Sequence, residues 1–154
     1  MGDLLRERDW TLATAESCTG GGLGERITRV PGSSAYFLGG VVAYSNSVKE
    51  EHLRVSPEIL RRYGAVSEPV ALQMAAGVRR ALRADLGLAV TGIAGPSGGT
   101  AEKPVGTVFI ALATPTGSHA RRCHFSGERQ EVRERSVMAA LELLLDYLQE
   151  ERTK

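Results

Sequence analysis

Ser17, Cys18, Tyr44 and Lys49 are the residues of this chain whose types and settings can carry covalent chemistry. Ser17 and Cys18 lie within residues 11–29 (TLATAESCTGGGLGERITR), which read as a strand, a glycine-rich turn and a helix. A turn of that kind gathers backbone N–H groups and the positive end of a helix dipole at one spot. A serine hydroxyl there stands as nucleophile elbows place theirs, with the amides around Thr19, Gly20 and Gly21 as oxyanion donors. The plainer reading makes Ser17 a helix N-cap and the glycines an aid to tight packing. A serine hydroxyl is a poor nucleophile until a base takes its proton. A lysine serves when burial disfavours its ammonium, so Lys49 is the candidate base and Tyr44 a group to relay or orient the proton. Against this, Lys49 beside Glu50 and Glu51 also fits a solvated helix face, and Tyr44 a core aromatic with its hydroxyl at the rim. Cys18 is a rival nucleophile, since a helix N-terminus lowers a thiol pKa, or else a small core residue.

A loop of thirteen residues, 92–104, follows a strand ending at Thr91, and loops of that length inside a compact domain are commonly functional. Thr91, Gly92 and Gly95 thus stand at the carboxyl-end crevice with the Ser17 turn, although Thr91 also fits a plain β-branched strand residue. Arg129 and Arg133 sit one turn apart at the start of the last helix, where cations oppose the dipole. Two purposes fit them: binding a ligand phosphate, or pairing with Glu128, Glu131 or Glu134. A dinucleotide fingerprint fails because Glu25 replaces the last glycine after Gly20 and Gly22, and no Walker A sequence is present. His52, His119 and His124 show no metal spacing, the last two facing opposite sides of a strand, so neither metal nor cofactor is expected.

The elements that must position these groups alternate. A short helix over residues 1–9 precedes the strand at 11–15. Leu23, Ile27 and Val30 share one face of the following helix. Residues 36–44 (YFLGGVVAY) are a continuous apolar run that suits a strand buried on both faces, with Gly39 and Gly40 marking a bulge or close approach of other backbone. Helices follow at 48–54 and 57–63. A longer one, 68–83, carries Val70, Met74, Gly77, Val78 and Ala81 along one stripe. Strands at 86–91 and 105–113 come next, and Pro115 to Gly117 turns the chain into a polar edge strand. The closing helix, 127–150, faces inward with Val132, Val137, Ala140, Leu141, Leu144 and Leu148. The fold class is α/β: a three-layer α/β/α sandwich over a mostly parallel, mixed sheet of about five to six strands, the tight turn implying one antiparallel pair.

The chain has 154 residues, 19 Lys plus Arg against 18 Asp plus Glu, and two cysteines. That length suits one domain, 1–154, and the near-zero charge argues against a nucleic-acid surface. No run is long and apolar enough for a membrane, no signal core opens the chain, and two cysteines make no secreted disulfide framework. A soluble, cytoplasmic protein is expected. The apolar stretch around residues 36–42 also suits a subunit contact, so a homo-oligomer is expected.

Several segments taken in order are similar to one family. AESCTGG (15–21), GGVVAYSNSVKEEHLRV (39–55), GAVSEPVALQMA (64–75), TGIAGPSGGTAEKPVGTV (91–108) and SGERQEVRERSVMAAL (126–141) resemble the CinA C-terminal domain family, also called nicotinamide-nucleotide amidohydrolases or NMN deamidases. The resemblance implies hydrolysis of the carboxamide of nicotinamide mononucleotide (NMN), giving nicotinic acid mononucleotide and ammonia in pyridine nucleotide salvage, without a cofactor. It also implies Ser17 as nucleophile, with Tyr44 and Lys49 assisting. It further implies that the loop 91–96 and Arg129 line the substrate site; with such a substrate the cationic pyridinium is expected near Glu16 or a ring face, and the phosphate at Arg129 or glycine-loop amides. Many relatives carry a further N-terminal domain resembling molybdopterin-binding proteins, which this chain is expected to lack. Ser97 stands where the family pattern suggests glycine. A module that binds a phosphorylated ligand without turnover, and an interaction protein of the competence and DNA-damage setting, are the two rival classes.

Overall fold

Two short runs of small and branched apolar residues form the centre of the computed structural model, which describes residues 1–153. They are β1 (Leu12–Glu16) and β3 (Leu86–Gly92), almost wholly buried. Around them the chain places α1 (Gly2–Glu7), α2 (Gly22–Thr28), β2 (Phe37–Val42), α3 (Asn46–Leu53), α4 (Pro57–Tyr63) and α5 (Glu68–Leu82). After β3 come β4 (Thr107–Ala113), β5 (Ser118–His124) and α6 (Arg129–Arg152). The strands make one five-stranded sheet in the order β2-β1-β3-β4-β5. β1 runs parallel to both β2 and β3, and β4 runs antiparallel to both β3 and β5. The architecture is the expected α/β sandwich with a mixed sheet.

Alternation along the strands feeds two cores. Leu12, Leu88, Val90, Val108, Ile110 and Leu112 face α1, α2 and α6, whereas Ala13, Ala15, Ala89, Phe109 and Ala111 face α3, α4 and α5. The second face is alanine-rich because α5 lies close on it. A side chain at Gly87 would collide with the Ala75 carbonyl, and one at Gly77 with the Leu53 carbonyl. Only glycine permits those approaches.

Three expectations need correction. The run at 36–44 is not buried on both faces: β2 is an edge strand, with Leu38 and Val42 47% and 49% exposed. Its hydrophobicity reads as central, but the chain crosses back over β1 to β3, which leaves β2 outermost. The bulge it was expected to hold is present, the register slipping between Leu12 opposite Phe37 and Ala13 opposite Gly39. Val30 lies beyond the end of α2 and is exposed, and on the later helices Ala81 is exposed while Leu141 is only partly buried. The sheet has two antiparallel pairings instead of one, because loop 93–106 carries no crossover helix and simply turns the chain back. Among the described residues, no helix is long and apolar enough to cross a membrane.

Candidate active site

The parallel strands β1, β2 and β3 end on the same side, and β1 lies between β2 and β3, the connection from β1 to β2 running one way across the sheet and that from β2 to β3 the other. That is where open α/β sheets form a crevice. Ser17 follows β1 directly, and its amide donates to the Val90 carbonyl at 2.9 Å, continuing the ladder by one residue. Beyond β2, the amide of Ala43 donates to the Glu16 carbonyl at 2.7 Å, and Ser45 then caps α3 by accepting from the Val48 amide at 3.3 Å. Lys49 and Leu53, one helical turn apart, are the buried residues of α3. The lysine thus occupies a core-facing position, and its stem is held by the same face that buries Leu53.

Lys49 is 1% exposed. Its Nζ lies 3.1 Å from Ser17 Oγ, 2.7 Å from the Ala43 carbonyl and 3.2 Å from the Tyr44 carbonyl. Burial lowers its pKa from the ordinary 10.5 to about 8. In the neutral form, two N–H bonds satisfy the two carbonyls and the lone pair accepts the Ser17 hydroxyl proton. The solvated alternative for Lys49 does not hold, and the pair needs no relay.

Ser17 is not a helix cap. The N-cap position of α2 is Gly21, with φ +101°. The helix is served instead by Glu16, 3% exposed, whose carboxylate accepts from the Leu23 amide at 2.7 Å, the Gly24 amide at 3.0 Å and the Thr19 hydroxyl at 2.6 Å. A buried carboxylate therefore takes the positive helix end that was expected to serve an oxyanion or a phosphate. Glu16 does not line the cleft over Ser17. Of the expected oxyanion set, Thr19 borders a separate cleft between α2 and α6, the Gly20 amide donates to the Ser17 carbonyl at 3.1 Å, and Gly21 starts the helix. None of the three lines the Ser17 cleft.

Cys18 lies beside Ser17 in the core, and burial pushes its thiol up to about 11. The helix end was expected to lower it; desolvation wins, so thiolate is scarce at neutral pH. Tyr44 is 62% exposed and not a core aromatic. Its hydroxyl accepts from Arg129 Nη2 at 3.2 Å, while Arg129 Nη1 donates to the Gly95 carbonyl at 2.9 Å. Arg133 donates to the carbonyls of Cys18 and Thr19, each at 3.1 Å. Neither arginine is in an ion pair among the described residues.

The cleft over Ser17 measures about 270 Å³, with Lys49, Thr91, Gly92, Gly95 and Arg129 on its walls. Thr91 is pinned, its hydroxyl donating to the Ala65 carbonyl at 2.9 Å. Ser97 also borders the cleft without adopting a positive φ; Gly95 and Gly98, at +82° and +93°, supply those conformations. The departure from glycine at 97 therefore imposes no backbone strain. The His119 ring lies tilted against Tyr147 of α6, centroids 5.4 Å apart, while His124 contacts the Val105 carbonyl at 3.1 Å. Glu16, Arg133 and the Ala43 carbonyl are site-building groups that sequence reasoning passed over or assigned elsewhere. The place of Glu16, directly after strand residues 12–15 and before a glycine-rich helix start, was the one available signal.

A family profile described as the CinA C-terminal domain matches residues 1–148. The chain belongs to that family. A CinA-like protein of Syntrophobacter fumaroxidans is 54% identical over 144 residues, covering 94% of this chain and 34% of that protein. A putative competence-damage inducible protein of Desulforudis audaxviator is 52% identical over 148 residues, 96% of this chain and 36% of the relative. The chain thus spans about a third of the length of these curated relatives. Among solved structures, the CinA superfamily protein from Enterobacter cloacae aligns with TM-score 0.91 and 38% identity, covering 95% of this chain and 86% of that one. The competence/damage inducible protein CihA from Agrobacterium tumefaciens aligns with TM-score 0.88 and 41% identity, covering 94% and 93%. The Ser17–Lys49 cleft is therefore a feature of a CinA C-terminal domain.

Proposed function

We propose that this CinA domain is an amidohydrolase acting through a serine–lysine pair, with NMN as substrate, yielding nicotinic acid mononucleotide and ammonia. The observation that carries the reading is the buried Lys49 amine 3.1 Å from the Ser17 hydroxyl. Ser17 Oγ attacks the carboxamide carbon as Lys49 takes its proton. The ammonium so formed offsets the charge on the tetrahedral oxygen. Lys49 then returns the proton to the departing nitrogen, and the C–N bond breaks to leave ammonia and a Ser17 ester. Water, deprotonated by Lys49, cleaves the ester, and Ser17 recovers its proton. The carboxamide ring occupies the cleft, Tyr44 at the mouth offers a face to the cationic pyridinium, and Arg129 receives the 5′-phosphate.

Purified protein incubated with NMN is expected to release nicotinic acid mononucleotide, followed by mass spectrometry, and Ser17→Ala is expected to lose at least about a thousandfold in kcat. A fully active Ser17→Ala variant contradicts the reading. Saturable NMN binding without product by the wild type favours the phosphorylated-ligand-binding module instead.

A further inference from the structure

The residue that joins the closing helix to the nucleophile turn is Arg133. Its Nε donates to the Cys18 carbonyl and its Nη2 to the Thr19 carbonyl, both at 3.1 Å, while Nη1 donates to Gln130 Oε1 at 2.8 Å. These carbonyls belong to the two residues directly after Ser17. In a trans peptide the N–H points opposite to its C=O, so holding both carbonyls fixes both peptide planes of the turn. Gly20 is part of the same fit: its φ is +58°, and a Cβ there would stand 3.3 Å from Arg133 Nη2. Glu16 holds the turn from the other side through the Thr19 hydroxyl at 2.6 Å. Arg133 is absent from the walls of the Ser17 cleft, whereas Arg129 stands on them.

We infer that Arg133 is a positioning residue, whose forked guanidinium clamps the Cys18–Thr19 peptides and thereby aims the Ser17 hydroxyl at the Lys49 amine. The inference rests on the serine–lysine reading. A lysine at 133 supplies charge but not the fixed fork, so it replaces the clamp only partly.

A fluorophosphonate probe reports on Ser17 alone, whatever the natural substrate. Ser17 Oγ displaces fluoride from phosphorus, the P–O bond forming as P–F breaks, and Lys49 receives the proton. The labelling rate at Ser17, read by peptide mass spectrometry, is measured on the full chain for wild type, Arg133→Gln and Arg133→Lys, with kcat and KM for NMN alongside. The inference predicts labelling and kcat about ten- to a hundredfold slower in Arg133→Gln, KM within about twofold, and Arg133→Lys between the two. Equal labelling rates in wild type and Arg133→Gln overturn it. A raised KM with unchanged labelling also overturns it, because the guanidinium then contacts ligand. If Arg133→Gln does not fold, Arg133→Lys carries the same comparison. A wild type that the probe leaves unlabelled removes the Ser17 reading itself, and this inference falls with it.

Discussion

Two adjacent residues, Ser17 and Cys18, follow β1 and have opposite prospects. Ser17 meets an amine, and Cys18 meets the apolar core. The Cys18 thiol at about 11 is protonated at neutral pH, so its intrinsic nucleophilicity goes unused. Lys49, lowered to about 8, leaves about a tenth of its molecules neutral at pH 7 and most of them at pH 9. One residue-scale prediction follows. Cys18→Ala retains kcat within about threefold in the NMN assay, since the side chain fills space beside the reacting pair without joining it. A loss as large as that of Ser17→Ala would make the thiol the nucleophile.

At the scale of elements, the site depends on where α3 sits, because α3 carries Lys49. It is held against α5 at a contact that only glycine allows, the Leu53 carbonyl occupying the place of a Gly77 side chain. Glycine to alanine in a helix ordinarily gains up to about 1 kcal/mol in propensity. Overpacking at a buried contact costs about 1–3 kcal/mol, which outweighs that gain. Gly77→Ala is therefore expected to lower the urea midpoint and, by pushing α3 outward, to lower kcat as well. Denaturation and NMN turnover measured on one preparation check this. A variant more stable than wild type with full activity would mean that α3 is not set by this contact.

Over the whole molecule, what could be read from the chain and what could not divide along physical lines. Element order, both layers and the crevice position of Ser17 follow from local periodicity and turn chemistry, which short windows contain. The edge position of β2 depends on strand order, a nonlocal property, and its apolar run concealed it. Lys49 was legible as a candidate but its burial was not, since Glu50 and Glu51 beside it suggest a wetted face and only Leu53 one turn on hints otherwise. The role of Glu16 was misread because a carboxylate near a glycine turn looks available to a cation. Only the fold shows the helix amides of Leu23 and Gly24 already on it. Arg133 was read for its charge, whereas its partners are carbonyls 115 and 114 residues away in the chain.

The reaction requires the Lys49 amine without its extra proton, and this gives the pH dependence a sign. Below its pKa of about 8 the base is protonated and idle; above it the base is free. The deciding measurement is kcat/KM for NMN from pH 6 to 9.5. The predicted result is a rise of about tenfold per unit at the acid end, bending to a plateau near pH 8. A profile flat across pH 6 to 9, or one falling as pH rises toward 8, would contradict a lysine base at Ser17.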